Sequence, residues 1–350
     1  MTGVAEARGW APGPEAAPAA PLVSLRGVRV VRAGRAALDG VDFQIHRGEC
    51  VAVLGPNGAG KSTLLRLLAL IDPPTSGTVA WDGLGACENR LTARRRIATV
   101  AQDPYLFTGS AVDNVTEGPR YRGVPRDEAE RRAREALAAC GASTIADRRA
   151  GELSGGEARR VAIARAIVTG PDLLLLDEPL AHVDEKTTGD LLALFASFPP
   201  RGTAIVVATH ELSEAVRLAG RVFALRAGKS DPGGTENLLL GDVREEGGMH
   251  WFVHASGVRL AVATTRTGRA GARVEPEEML LSAEPIHSSA RNCLAGTVVG
   301  VEEGDPVTRV RVDVGVPVVA HVTPQSVREM GIAVGKRLYV TFKATAVRVV

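Results

Sequence analysis

The sequence has no apolar run of about 18 residues, the length that a membrane-spanning helix needs. Its four cysteines, Cys50, Cys87, Cys140 and Cys293, lack the spacing of a metal site or a disulfide framework. A formal net charge of +2 gives no reason to expect nucleic acid as a partner. Residues 1–22 are rich in Ala, Pro and Gly and lack the apolar centre of a secretory signal, so we predict a disordered tail there.

What the sequence does contain is a glycine-rich segment with the full G-x-x-x-x-G-K-[ST] pattern of a phosphate-binding loop. An apolar run at 51–54 precedes this segment and predicts a buried strand, and a leucine-rich run at 64–70 follows it and predicts a helix. Inward-pointing N–H groups and the helix dipole would bind phosphate, Lys61 would reach the β- and γ-phosphates, and the Ser62 hydroxyl would ligate Mg²⁺. The predicted nucleotide-binding residues of the loop are Gly55, Pro56, Asn57, Gly58, Ala59, Gly60, Lys61, Ser62 and Thr63.

A second motif combines a buried strand with two carboxylates. Four leucines at 173–176 predict a parallel strand buried on both faces, and Asp177 and Glu178 follow it directly. Function in such sheets lies at the carboxyl ends of the strands. We therefore expect Asp177 to hold Mg²⁺, directly or through water, and Glu178 to polarise an attacking water. An exposed turn is the structural alternative.

A third motif is Leu-Ser-Gly-Gly-Glu at 153–157, in which Ser154 can cap the following helix. With this motif the chain resembles the ATP-binding cassette (ABC) ATPases, whose signature ends in Gln where this chain has Glu157. The resemblance implies that Ser154, Gly155 and Gly156 contact the nucleotide of a second subunit. It further implies a homodimer of cassettes that pair head to tail.

The resemblance assigns three more residues. Gln102 matches the glutamine that senses Mg²⁺ and the membrane partner, and Asp184 matches the aspartate that bridges the two ATPase subunits. His210 follows a strand-like run at 204–208 and matches the switch histidine that contacts the γ-phosphate. Glu178 would then position water for in-line attack, while Mg²⁺, Lys61 and His210 stabilise the developing charge.

One position departs from the family. An aromatic residue usually stacks on adenine, and alignment of residues 38–41 with the family's next strand places Arg32 there instead. A guanidinium plane can stack on a purine, but Arg32 can equally be a solvated surface charge. Both interpretations stay open at this point.

The length of 350 residues predicts at least two domains. We predict an α/β P-loop ABC cassette with a helical subdomain over 23–230, a connecting β-rich segment over 231–288 and a small OB-like β-barrel domain over 289–350. Residues 126–139 have the composition of a helix in the subdomain. An apolar patch at 104–108 is expected to receive the membrane subunit, with the alternative that Leu106 and Phe107 belong to the core.

The last segment carries Ser-Ala-Arg-Asn at 289–292 and Phe-Lys-Ala-Thr at 342–345. With these motifs it resembles the molybdate-binding (mop) domain, a TOBE-like module. The resemblance rests on two short motifs, and it implies that they hold a tetrahedral oxyanion at a subunit interface. Thr345 replaces the usual serine but keeps a hydroxyl. The structural alternative is a barrel that only dimerises the ATPase, with these residues forming ordinary caps. The residues are Ser289, Ala290, Arg291, Asn292, Lys343, Ala344 and Thr345.

Together the motifs predict an ABC-type ATPase that uses ATP and Mg²⁺ to power import of tungstate or molybdate. Its partners would be transmembrane permease subunits and, indirectly, a periplasmic or extracellular oxyanion-binding protein. We expect a peripheral protein at the cytoplasmic face of the membrane, regulated by oxyanion at its C-terminal domain. The alternative is an importer ATPase for another substrate, with a purely structural barrel.

Overall fold

The computed structural model describes residues 20–82, 84–85, 90–181, 183 and 185–350. The predicted tail lies outside the described residues up to position 19. Leu22, which the prediction included in the tail, is fully buried, and its N–H donates to the Ile45 carbonyl at 2.8 Å. The predicted site residue Asp184 also lies outside the described residues.

The strands of the described chain are β1 (Val23–Arg32), β2 (Arg35–Ile45), β3 (Cys50–Leu54), β4 (Ser76–Trp81), β5 (Leu84–Gly85), β6 (Ile97–Val100), β7 (Leu173–Asp177), β8 (Ala204–Thr209), β9 (Arg221–Arg226), β10 (Lys229–Ser230), β11 (Leu238–Glu246), β12 (Met249–His254), β13 (Arg259–Val262), β14 (Gly268–Arg273), β15 (Leu280–Ser282), β16 (Asn292–Glu302), β17 (Thr308–Asp313), β18 (Pro317–Val322), β19 (Arg337–Phe342) and β20 (Arg348–Val349). The α-helices are α1 (Lys61–Leu68), α2 (Arg90–Arg95), α3 (Ala111–Tyr121), α4 (Arg126–Ala139), α5 (Gly155–Ile167), α6 (Glu185–Ala196), α7 (Leu212–Leu218) and α8 (Pro324–Met330).

A six-stranded sheet forms the centre of the N-terminal part, in the order β10-β9-β3-β8-β7-β6. All its pairings are parallel except that of the short edge strand β10. Every residue of β7 and β8 is buried, which the four leucines of β7 predicted for that strand. The carboxyl ends of β3, β6, β7 and β8 lie at one edge, which is where the phosphate loop, Gln102, Asp177 and His210 follow in the chain.

An antiparallel sheet, in the order β2-β1-β4-β5, covers the other side of α1. Leucines of α1 pack between the two sheets in a core that includes Leu38, Phe43 and Leu175. The helix ends at Leu68 rather than at Leu70, because Leu70 turns into the left-handed region with a φ of 54°.

The helical subdomain consists of α3, α4 and α5, which pack around Val115, Leu137 and Ile163. Helix α4 has the predicted bounds. The two residues of the apolar patch behave differently. Leu106 packs against the core, whereas Phe107 is 50% exposed.

The C-terminal part contains two five-stranded antiparallel sheets, in the orders β13-β12-β11-β14-β20 and β15-β19-β16-β17-β18. The sheets exchange strands: β15 joins β19 of the second sheet, and β20 returns to β14 of the first. One core, which includes Phe252, Val298 and Phe342, lies under both. A small OB-like barrel thus follows the cassette, and its domain limits remain a prediction.

Helix α7 joins the cassette to the first of these sheets. The Arg269 guanidinium donates to the Ala219 carbonyl at 3.3 Å. A Cβ at Gly271 of β14 would lie 2.8 Å from the Val216 side chain, so the glycine permits close packing there. Within the part of the chain that the structure describes, no helix combines the length and apolarity needed to span a bilayer.

Candidate nucleotide site

The phosphate loop is a tight backbone turn whose shape requires glycine. Gly58 and Gly60 have φ values of 79° and 105°. A Cβ at Gly60 would lie 2.6 Å from the Ala37 carbonyl oxygen, and one at Gly55 would lie 2.3 Å from the Leu225 carbonyl oxygen. Helix α1 begins at Lys61 with no side chain capping its first turn, so its N–H groups face the loop.

Lys61 is the buried cation of the site, with 6% of the residue exposed. Its ammonium donates to the carbonyl oxygens of Gly55, at 2.8 Å, and Pro56, at 3.3 Å. The same nitrogen lies 3.8 Å from Oε1 of Glu178. The side chain therefore lies between the loop and the carboxylate that follows β7.

Glu178 is the point at which the other predicted catalytic residues meet. Its Oε1 lies 3.0 Å from His210 Nδ1, and its Oε2 accepts a hydrogen bond from Gln102 Nε2 at 3.3 Å. The residue is 8% exposed. The structure thus brings Lys61, Gln102, Glu178 and His210 together from four different segments.

Asp177 lies beside this group and is 9% exposed. Burial raises the pKa of its carboxyl, and the hydrogen bond from the Ser62 hydroxyl opposes that effect. A cleft of about 360 Å³ opens over the loop and both carboxylates. Its lining residues are Ala37, Asn57, Gly58, Gly60, Lys61, Ser62, Thr63, Gln102, Asp177 and Glu178.

Ser154 caps α5 through a reciprocal pair of hydrogen bonds with Glu157. The Ser154 N–H donates to the Glu157 carboxylate at 2.8 Å, and the Glu157 N–H donates to the Ser154 hydroxyl at 3.4 Å. Ser154, Gly155 and Gly156 are not among the residues that line the cleft of their own chain. A Cβ at either glycine would meet nothing within 4 Å, so this helix end has room for another group.

Sequence reasoning missed two features of the site. Arg159 is 6% exposed and donates to main-chain carbonyls of the loops that carry Gln102 and Glu178. Thr209, at the end of β8, donates to Glu214 at 2.7 Å, a carboxyl whose pKa is raised by burial. Helical periodicity from the capping Ser154 places Arg159 on the same face as Ile163, and that signal could have indicated a buried arginine.

Arg32, at the position where the family has an aromatic residue, forms an ion pair with Asp72. Asp72 follows α1 and also pairs with Arg66 at 2.7 Å. Arg32 is therefore held near the C-terminal end of α1, whereas the phosphate loop lies at its N-terminal end. Arg32 is not among the residues that line the cleft, whereas Ala37, five positions later, is.

The two predicted oxyanion segments lie at one end of the β16–β19 pair, because Asn292 pairs with Phe342. Arg291, Lys343 and Thr345 are exposed there. The Asn292 side chain is instead buried and bonds both polar groups of Ala261, accepting from its N–H at 2.7 Å and donating to its carbonyl at 3.0 Å. That amide fixes β13 to β16.

The fold and the nucleotide site together define an ATP-binding cassette ATPase that carries a C-terminal β-barrel. Family models agree with this class: residues 38–181 match the model described as ABC transporter, and residues 288–349 match the TOBE domain. The chain belongs to the family of ABC transporter ATP-binding proteins, and it is an ABC-type ATPase.

Two curated relatives align along most of the chain. One is the molybdate/tungstate import ATP-binding protein WtpC of Pyrococcus abyssi, 32% identical and covering 88% of this chain and 94% of the relative. The other is the molybdenum import ATP-binding protein ModC of Mycobacterium tuberculosis, 33% identical and covering 88% of this chain and 92% of the relative.

A solved structure matches the cassette. It is the dimeric, post-hydrolysis state of the ATP-binding cassette MJ0796 bound to ADP and Pi, with a TM-score of 0.57 and 31% identity. The match covers 60% of this chain and 96% of that one.

Proposed function

We propose that this chain is the ATP-hydrolysing subunit of a tungstate or molybdate importer. The observation that carries the proposal is that Lys61, Gln102, Glu178 and His210 converge on one cleft, in a chain that also carries the barrel. The two relatives with molybdate or tungstate names align across both parts. Support for the cargo comes from those names and from the two oxyanion segments.

In this proposal the triphosphate of ATP lies along the phosphate loop. Lys61 would exchange its present bonds to the Gly55 and Pro56 carbonyls for phosphate oxygens, since its ammonium already points into the loop. Glu178 would accept a hydrogen bond from the attacking water and orient it in line with the γ-phosphate. His210 and Gln102 would fix the two oxygens of that carboxylate, because each contacts one of them.

The residues beside the loop fit Mg²⁺, which accepts hard oxygen ligands. Ser62 and Asp177 are already bonded to each other, and the Gln102 side chain lines the same cleft. When bound with ATP, Mg²⁺ would neutralise charge on the phosphates. Among the described residues, no group of three or more His, Cys, Asp or Glu side chains could hold a metal ion.

The proposed partners are a second copy of this chain and a membrane permease. The open end of α5 at Ser154, Gly155 and Gly156 would meet the partner's ATP. Exposed Tyr105 and Phe107 would contact the permease at the cytoplasmic face of the membrane. An external oxyanion-binding protein would deliver cargo to that permease, and nucleic acid takes no part.

A transport assay tests this function. The full chain would be assembled with a molybdate or tungstate permease and placed in vesicles, and ATP-dependent uptake of molybdate, tungstate, sulfate and phosphate would be compared. We expect uptake of the first two and none when Lys61→Ala replaces the native chain. ATP-driven uptake of only another anion would support the alternative of a different cargo with a structural barrel.

A further inference from the structure

Arg159 is a buried cation outside the cleft, on the helix that the signature residues begin. It is 6% exposed, and a buried guanidinium is tolerated only when its N–H groups find acceptors. Carboxylates usually fill that role, but the acceptors described here are main-chain carbonyl oxygens. Buried Arg159 therefore holds the backbone of the loops that provide those carbonyls.

Three carbonyls from two loops accept its hydrogen bonds. Its Nη1 donates to Glu178 at 2.8 Å and to Ala181 at 2.6 Å. Its Nη2 donates to the Gln102 carbonyl. The planar fork of a guanidinium can reach acceptors on separate segments in a fixed geometry, which a lysine ammonium cannot reproduce.

Both loops carry side chains that the proposed function uses. Glu178 has a left-handed φ of 47°, and its carboxylate meets the Gln102 amide at 3.3 Å. A displacement of either carbonyl would move the corresponding side chain, and errors of about 1 Å in such positions can cost on the order of 10²-fold in rate. The main-chain bonds from Arg159 thus bear directly on where Glu178 holds water.

We propose that Arg159 is a positioning residue for ATP hydrolysis, acting through the backbone of Glu178 and Gln102; this inference rests on the proposed role of Glu178. Arg159 lies five positions after Ser154, about 7.5 Å along the helix axis. The same rigid helix therefore connects the end that would meet the partner's ATP with the catalytic loop of its own chain.

The test compares Arg159→Gln and Arg159→Lys in the full chain. We expect Arg159→Gln to lower kcat on the order of 10²-fold. KM for ATP and the calorimetric affinity for ADP should change little, because Lys61 and the phosphate loop are untouched. Arg159→Lys should recover part of kcat, since an ammonium can retain one set of carbonyl bonds. If Arg159→Gln does not fold, Arg159→Lys carries the same comparison.

Arg122→Gln is the control for the loss of carbonyl hydrogen bonds, at an arginine that is exposed. Its guanidinium also donates to carbonyls of two separate segments, Thr169 at 2.6 Å and Arg95, but these lie away from the cleft. This control should lose thermal stability without a selective loss of kcat. Equal kcat losses in the Arg159 and Arg122 variants at equal melting temperatures would overturn the positioning role.

A double-variant cycle separates this inference from the proposed function. If Arg159 acts through Glu178, adding Arg159→Gln to Glu178→Gln should slow hydrolysis by no more than about twofold. Multiplicative losses would mean an independent effect and overturn the inference. Wild-type turnover in Glu178→Gln alone would instead overturn the proposed role of Glu178.

Discussion

The backbone of Glu178 lies in the left-handed region of φ/ψ space, which residues other than glycine adopt at an energetic cost. Its N–H donates to the Ala208 carbonyl at 2.9 Å, and its own carbonyl accepts from Arg159. These bonds fix both sides of the residue. The consequence is that β7 ends abruptly and the carboxylate turns into the cleft, between His210 and Lys61.

We expect Glu178→Gln to bind ATP but hydrolyse it about 10²- to 10³-fold more slowly, equivalent to about 3–4 kcal/mol of transition-state stabilisation. The amide keeps the size of the side chain but is a poor acceptor for the proton of the attacking water. Phosphate release under single-turnover conditions measures the effect, and size-exclusion chromatography should show a trapped ATP-bound dimer. Glu211→Gln, which changes an exposed carboxylate on the loop after β8, is the control and should turn over normally.

At the scale of single residues, the sequence predicted those candidate site residues that belong to local motifs. Lys61 and Ser62 follow from one nonapeptide, and Asp177 and Glu178 follow from one strand. Arg159 was missed because its acceptors lie 19 and 57 residues away in the chain. Which carbonyls a buried guanidinium reaches is decided by tertiary packing rather than by its neighbours in sequence.

Helix α5 begins with a charge-assisted cap. The pKa of the Glu157 carboxyl is held below its usual value first by the Ser154 N–H and then by the Ser154 hydroxyl, and Arg148 pairs with the same carboxylate at 2.9 Å. A lowered folded-state pKa means that the ionised carboxylate stabilises the fold above its unfolded-state pKa. That contribution disappears as the pH falls through the folded-state value.

Glu157→Gln should therefore destabilise the protein at pH 7 by about 1 kcal/mol, the typical difference between hydrogen bonds to charged and neutral groups. The difference in melting temperature between native and variant chains should shrink below about pH 4.3, where the unfolded carboxyl becomes protonated. Thermal unfolding followed by circular dichroism from pH 7 down to about pH 2 checks this, because the contribution is lost between the unfolded-state pKa and the lower folded-state pKa. A difference that stays constant across that range would show that the charge of Glu157 does not support the cap.

Periodicity was most successful for whole elements with clear ends. Helix α4 begins and ends at the predicted residues, 126 and 139. The helix predicted to run to Leu70 is shorter, because a leucine-rich pattern continues through a residue whose backbone has left the helix. Composition shows that a segment can be helical but does not show where tertiary contacts turn it.

Across the whole molecule, strand exchange was beyond prediction from the sequence. Leu281 pairs with Val340, so β15, from before the predicted barrel, completes the second sheet. Ala272 pairs with Val349, so β20, from within the predicted barrel, completes the first sheet. Such pairings depend on which sheet edges, formed by strands distant in the sequence, remain unpaired. A local sequence pattern carries no information about those edges. One result is that the chain's last residue, Val350, bonds Gly271 in both directions, at 2.9 and 3.0 Å.

This arrangement gives the barrel a physical route to the ATPase. His210 precedes α7, α7 packs on β14 at Gly271, and β14 pairs with β20 only a few residues after Lys343 and Thr345. An anion held at those residues in a pair of barrels would favour one arrangement of the two cassettes. It can shift that equilibrium only by its difference in affinity for the two arrangements.

We therefore expect molybdate or tungstate to slow transport-coupled ATP hydrolysis, and Lys343→Ala to relieve the inhibition without changing basal activity. Loss of the exposed ammonium removes a charge-assisted contact to the oxyanion but touches nothing in the nucleotide cleft. Lys336→Ala is the matched control, because that lysine lies in the same barrel but donates to the Met330 carbonyl, so the inhibition should persist. Calorimetry on the full chain measures the binding step. If neither anion binds at millimolar concentration, oxyanion regulation through the barrel is ruled out and the structural alternative for the barrel is favoured.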